Sequence, residues 1–299
     1  MGNLIKDKQD LTYLEWSKIR HSSGTAGSYL KATSLISNEK LYYKLSNYDS
    51  LNGIIGHECL NELIVDRLLD IFEIDHLHYN VIHADVLINN KKYETYLCSS
   101  LDFKQKGEEK AAFDLFYELE KEENETVLEF IKRYKFEKQI YEMFIIDFII
   151  LNRDRHGANI EILKNAKNRS IRLSPLFDHG LSLLALCTTK KDILNFNVLD
   201  DKPVQCYFGF NSTYKNLELI PKNKLPKIKK FNEKYKTVLF EGLEDVLDEE
   251  LVEKIWEMIS KRWRYYENFC NKKWIRQQFN SRLSFLLRKR KEVLYWIIR

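Results

Sequence analysis

Two carboxylates and one carboxamide stand in an arrangement that suits chemistry on a phosphate. Asp154 and Asn159 share the block Asn152-Arg153-Asp154-Arg155-His156-Gly157-Ala158-Asn159, and Asp178 opens Asp178-His179-Gly180 downstream. Each block follows an apolar run, which would hold its side chains at the end of a packed element. Magnesium prefers hard oxygen ligands and usually shares them between protein and substrate phosphates. In phosphoryl transfer one Asp orients the attacking hydroxyl, while an Asn and a second Asp hold the metal. Asp154, Asn159 and Asp178 fit those three roles in that order.

The residues upstream supply what such a site needs around it. His21 to Ser28 is a run of small residues, with Ser22, Ser23, Gly24, Thr25, Ala26, Gly27 and Ser28 in sequence. Small residues let backbone amides approach a phosphate closely, although an ordinary hairpin turn has the same composition. Leu41 to Leu45 is aromatic-rich and strand-like, and Lys44 near its end is suited to neutralising phosphates. His57 to Phe72 has helical apolar spacing. Glu58 and Glu62, four apart on it, share one face, and one of them is expected to orient Lys44. Asp75 to Ile88 and Tyr93 to Cys98 read as a hairpin around Asn89-Asn90-Lys91-Lys92. His76 and His78 would face the same side there, and with no third ligand nearby in sequence they read as polar residues on a solvated strand face ahead of a metal pair.

Beyond Leu101 the composition turns helical. Ala111 to Tyr134 reads as a solvated helix with an acidic run at Glu118 to Glu125. Phe136 to Leu151 is apolar on nearly all sides, hence a buried central helix. Asp147 inside it needs a partner, with Arg153 or Arg155 the candidates. Asn152 and His156 read as braces of the loop. For Arg155 both a brace and a phosphate contact are open, with bracing favoured. Ile160 to Leu163 and Ile171 to Leu173 read as two strands that return Asp178 beside Asn159. Asp200 to Pro221 is irregular, and Leu217 to Phe240, Asp248 to Trp263 and the basic segment Trp274 to Arg299 read as helices.

Composition bounds the rest. The 299 residues are 44% hydrophobic and 13% aromatic with 4 Pro and 10 Gly, which argues for a folded chain with little linker. A net charge of +4 against 48 basic and 44 acidic residues gives no reason to expect a nucleic-acid partner. The five cysteines (Cys59, Cys98, Cys187, Cys206 and Cys270) form no C-x-x-C pair and read as reduced, buried thiols in a cytoplasmic protein. The most apolar stretch, Met143 to Leu151, is far below the ~20 residues of a membrane span.

The block N-R-D-R-H-G-A-N followed by S-P-L-F-D-H-G resembles the catalytic and metal-binding segments of HipA-like serine/threonine kinases. Phosphatidylinositol kinases carry a related D-R-H-x-x-N block. The resemblance covers about Ser22 to Leu184. It implies an α+β, two-lobed protein-kinase-like fold, with a β-rich N-lobe over residues 1–98 and a mostly helical C-lobe over 99–299. ATP and magnesium would sit between the lobes, under the loop Ser23 to Ser28. Lys44 and Asp154 would be catalytic, Asn159 and Asp178 would hold metal, and His156 would stand beside the nucleotide. By order alone, the adenine would meet the backbone at Leu97 and Cys98. The family implies a protein substrate, aminoacyl-tRNA synthetases being known ones, and autophosphorylation of a loop serine, here Ser22 or Ser23. It also implies a toxin–antitoxin setting. The chain begins almost at the glycine loop, without the N-terminal subdomain many members have, so either a separately encoded antitoxin or subdomain partner supplies that part or the protein works alone. A lipid or small-molecule kinase and a catalytically silent nucleotide-binding module are the alternatives.

Overall fold

The computed structural model describes residues 2–19, 26–36 and 39–272. The first part is a six-stranded sheet with one long helix. In chain order come β1 (Leu4–Asp10), β2 (Ser17–Ile19), β3 (Ala26–Ile36), β4 (Glu39–Lys44), the short pair β5 (Tyr48–Asp49) and β6 (Gly53–Ile54), α1 (Glu58–Phe72), β7 (Asn80–Ile88) and β8 (Lys91–Leu101). The sheet order is β1-β7-β8-β4-β3-β2. The hairpin β7–β8 and the lysine strand β4 therefore sit centrally, where their register is fixed from both sides. Strand β1 was not foreseen, because its sequence LIKDKQD shows no apolar alternation. It lies at the edge of the sheet, parallel to β7 and mostly exposed, where charged side chains discourage pairing with another chain.

Alternation along β7 divides the core. Ile82, Ala84, Val86 and Ile88 join a small cluster with Leu30, Ala32, Tyr43 and Leu45 on one face, while Val81 turns to the other face and the main core. Helix α1 lies within that main core and is buried at nearly every position. It consequently touches both the sheet and the helical part, which makes it the element that relates the two.

The second part comprises β9 (Glu108–Ala112), α2 (Phe113–Glu120), α3 (Val127–Arg133), α4 (Glu137–Ile149), β10 (Asp154–Arg155), β11 (Glu161–Asn165), β12 (Ser170–Leu173), α5 (Lys190–Asn195), β13 (Gln205–Cys206), α6 (Thr213–Glu218), α7 (Tyr235–Phe240) and a final helix, α8, over 249–272. The single helix expected over Ala111 to Tyr134 is instead a strand end and two helices. Lys110 to Ala112 pair with β11, and a capping box at Thr126 and Glu129 starts α3 afresh after a turn. The expected helix from Leu217 to Phe240 is likewise broken, with irregular backbone between α6 and α7. Helix α8 docks on α1 by stacking Trp263 on Phe72, ring centroids 5.0 Å apart. Arg262, fully enclosed, donates to the carbonyls of Phe148, Val198 and Asp200, and burial pushes its pKa down to about 10. The expected helix over Trp274 to Arg299 lies outside the described residues. Cys59, Cys98 and Cys187 are buried as expected, whereas Cys206 and Cys270 are only partly so. No helix among the described residues is long and apolar enough to cross a membrane.

Candidate active site

Strand β4 carries Lys44 to the point where α1 and the Asp178 segment meet. Its Nζ lies 2.9 Å from Glu62 Oε1 and 2.5 Å from Asp178 Oδ1. Of the two candidate acids on α1, Glu62 is thus the lysine's partner. Glu58, one turn earlier, instead accepts from the Tyr29 hydroxyl at 3.4 Å and the Asn47 amide at 3.3 Å. Burial alone would push Lys44 down, but Asp178 and Glu62 together hold its pKa well above the ordinary value. Burial raises Glu62, and Asp178 adds to the rise while Lys44 opposes it. One ammonium between two carboxylates leaves an excess negative charge, which a cation arriving beside Asp178 would neutralise.

The backbone around Asp178 is held tightly. Asp178 has φ of 59°, a left-handed conformation that non-glycine residues seldom adopt without support. Support comes from several sides. The Asp178 amide donates to the Tyr79 hydroxyl at 3.3 Å and the His179 amide donates to Glu62 Oε2 at 2.8 Å. Asn61 donates to the carbonyls of Gly180 and Ser182 at 3.0 and 3.1 Å. Gly180 is required by close approach, since a Cβ there would stand 3.2 Å from the Cβ of Glu58. The His179 ring is buried beside Arg155, and burial with that charge keeps it neutral by lowering its pKa far below the usual value. Asn61 and Tyr79 were missed by the sequence reading. The only signal for Asn61 was a polar residue in the otherwise apolar face of α1.

Asp154 lies in the two-residue strand β10, which pairs with β13. Asn152 Oδ1 accepts from the Asp154 amide at 3.2 Å, and Asn152 Nδ2 donates to Asp147 at 2.9 Å. His156 accepts the Ala158 amide at Nδ1, 3.2 Å away. Its proton then resides on Nε2, which faces Asp154 Oδ2 at 3.7 Å. The Asn159 amide nitrogen donates to the Asp154 carbonyl at 2.9 Å. That bond fixes the orientation of the carboxamide. Asp178 and Asn159 each carry an oxygen donor of the kind that suits magnesium. Arg155 is the buried brace that one of its two readings anticipated. It makes paired contacts of 3.0 and 2.9 Å to Asp147 and donates to the Phe177 carbonyl at 2.8 Å, which leaves it no access to a phosphate.

A cleft of about 850 Å³, its open mouth included, lies in front of Lys44. Lys31, Tyr42, Ser100, Leu101, Phe103 and Phe177 are among its walls. Asp178 lines the cleft, whereas Asp154 and Asn159 do not. Leu97 and Cys98, expected to meet the adenine by their backbone, lie inside the sheet, Leu97 opposite Ile82 and Cys98 between Val81 and Lys44. Cys98 reaches the cleft by its side chain, and the strand end that opens onto it is Ser100 to Phe103. There Tyr42 and Lys110 both bond Asp102, at 3.2 and 2.6 Å, and Lys110 stands 3.8 Å over the Phe103 ring. Of the small-residue loop, Ser22, Ser23, Gly24 and Thr25 lie outside the described residues. Ala26, Gly27 and Ser28 begin β3.

No protein-family model matches the chain, and a search of curated proteins returns no relative. Among solved structures, the chain is similar to the Helicobacter pylori proinflammatory kinase CtkA. The identity is 15% over 85% of this chain and 93% of that one, with a TM-score of 0.51. A chain of the Shewanella oneidensis toxin–antitoxin complex of HipA, HipB and operator DNA matches at 11% identity, with a TM-score of 0.38 over 83% of this chain and 59% of that one. The first likeness, which agrees with the resemblance read from the two sequence blocks, shows that the chain has a two-lobed, kinase-like α+β fold.

Proposed function

We propose that this protein is an ATP- and magnesium-dependent serine/threonine protein kinase of HipA-like type. The observation that carries the reading is the Lys44 ammonium held between Glu62 and Asp178 beside an open cleft. A structural ion pair needs one acid for one base, and this one has an acid to spare. Lys44 binds the ATP α- and β-phosphates, and the loop from Ser23 to Ser28 covers them. Asp178 and Asn159 would hold magnesium, which when bound neutralises charge on the phosphates. Asp154, steadied by His156 Nε2–H, accepts the proton of the incoming hydroxyl. The new bond joins that oxygen to the γ-phosphorus, and the bond from phosphorus to the β–γ bridging oxygen breaks, releasing ADP.

The lobes divide near residue 98, with 1–98 as the N-lobe and 99–299 as the C-lobe. A protein hydroxyl is the acceptor, with aminoacyl-tRNA synthetases as the class to try first. An antitoxin partner belongs to the same reading, as does autophosphorylation at Ser22 or Ser23. The test is incubation of the purified chain with labelled ATP, magnesium and a cell extract. Label in protein for the wild type and none for Asp154→Asn is expected. Label confined to the lipid fraction, or equal turnover in the two chains, would overturn it.

A further inference from the structure

Away from the cleft, His76 and His78 meet two acids that the sequence alone does not bring near. Asp66 and Asp70 lie four apart on α1 and so share a face. His76 and His78 lie two apart on the extended approach to β7 and also share a side. The turn after α1 folds one pair onto the other. Each of the four residues then offers one ligand atom, and these atoms all lie within 4.8 Å of one another.

The spacing suits a small ion. Around a tetrahedral metal with bonds of about 2.0–2.1 Å, neighbouring ligand atoms stand roughly 3.3–3.4 Å apart. Asp66 Oδ1 is 3.4 Å from His76 Nε2 and 3.1 Å from His78 Nδ1. The protonation pattern also suits one. His76 Nδ1 lies 2.7 Å from the Ile74 carbonyl, which can only accept, so the hydrogen resides on Nδ1. The other ring nitrogen, Nε2, is buried, makes no well-formed hydrogen bond and faces Asp66 Oδ1 at 3.4 Å. His76 is 7% exposed, so no water reaches it freely. A ring that donates one N–H to a carbonyl and turns its other nitrogen on a carboxylate has the outer-shell pattern of a metal-bound histidine. Asp66 has its own outer shell, the amides of Gly2 at 2.5 Å and Tyr79 at 3.0 Å.

We propose that Asp66, Asp70, His76 and His78 form a site for a divalent transition metal of the zinc class, closing the junction between α1 and β7. The mixed imidazole and carboxylate donors select zinc-like ions over magnesium, which takes oxygen. The ion would be structural, with a consequence for the cleft. Leu77 donates to the Leu176 carbonyl at 2.8 Å and Leu176 to the Asp75 carbonyl at 3.2 Å, so the stretch holding His76 is stitched to the chain two residues before Asp178. The site does not depend on the kinase reading.

The chelator-treated full chain, in excess magnesium, is titrated with zinc chloride by calorimetry, and with cobalt(II) by visible absorption. One equivalent of zinc should bind, and cobalt should give the intense d–d bands of a four-coordinate site. His78 is exposed, so His78→Ala removes a ligand without opening the core, and Asp70→Asn is a second such variant. Each should weaken zinc by at least about tenfold and lose the cobalt bands, while Asp178→Asn keeps both. Absence of zinc binding by the wild type would overturn the proposal. So would zinc affinity within about twofold of wild type in His78→Ala and Asp70→Asn, because the metal would then sit on cysteines or other histidines.

Discussion

Two buried clusters, each built around an aspartate and a cation, differ in completeness. In the first, Asp147 takes both of its oxygens to Arg155, and Asn152 fills a further position. The charges are equal in number and the fork geometry is paired, so nothing in the cluster asks for a ligand. In the second, Lys44 stands between Glu62 and Asp178, with two anions to one cation and a cleft in front. The first cluster braces, and on the kinase proposal the second binds. The difference lies in the charge left over, since both clusters are buried and both are well bonded.

Breaking the complete cluster should produce the largest effect. Asp147→Ala leaves the Arg155 guanidinium buried with only carbonyl partners, and removing one member of such a pair costs about 3–5 kcal/mol of stability. Urea unfolding measures it, and a loss below about 1 kcal/mol would show that the guanidinium finds water instead. Asp154→Asn, in contrast, touches a partly exposed side chain and should leave the unfolding midpoint nearly unmoved. On the kinase proposal it raises the barrier to transfer by at least ~3 kcal/mol, a rate loss of two orders of magnitude or more. Single-turnover kinetics with labelled ATP would read it.

Much of the second cluster was legible in the sequence, and the reason is local. Asp178 opens a short block that follows the hairpin of β11 and β12, and Lys44 ends a strand that its own composition marks. What could not be read depends on tertiary choice. Glu58 and Glu62 share a helix face, and only the path of Asp178-His179-Gly180 across α1 decides between them. Leu97 and Cys98 were placed as a nucleotide contact because the strand was expected to end there. It runs on to Leu101, since β4 continues to pair with it. Strand β1 and the break between α2 and α3 were hidden for the converse reason, their sequences being polar or charged and their roles set by neighbours. His76 and His78 looked incomplete as a metal pair because the remaining donors lie across a turn.

A third type of buried polar group has no partner at all, and it sharpens the contrast through pH. His57 begins α1, its Nε2 is buried without a hydrogen-bond partner, and burial pushes its pKa down to about 4. In the unfolded chain the same ring titrates near ~6.5. Between these values the unfolded state binds the proton and the folded state does not, so stability falls as pH drops. The contribution is intact above about pH 6.5 and declines by about 2–3 kcal/mol as the pH reaches ~4. His179, also held neutral by burial and by Arg155, acts in the same direction. His57→Gln should flatten the part of the curve that His57 causes. An unchanged slope in unfolding measurements over that window would rule His57 out as the source.

The smallest effect separates the two acids of α1, and it tests whether surplus charge is what marks the binding cluster. Glu62 is fully enclosed, and burial raises its pKa while Asp178 crowds it further. Replacing it by Gln removes a charge that the fold struggles to keep, leaves Lys44 paired with Asp178, and preserves an oxygen to accept the His179 amide. Stability should therefore change by less than about 1 kcal/mol, since a strained buried ion pair contributes little net. Activity should suffer more. Without the second carboxylate Lys44 follows Asp178 alone, and on the kinase proposal its misplacement should lower turnover by about tenfold, or roughly 1.4 kcal/mol of barrier. Glu58→Gln releases only Tyr29 and the Asn47 amide, so its turnover should stay within about threefold of wild type. Equal losses in the two variants would mean that α1 acts through its position rather than through one carboxylate. A large stability loss in Glu62→Gln would instead place the Lys44 cluster with Asp147 and Arg155, as a brace.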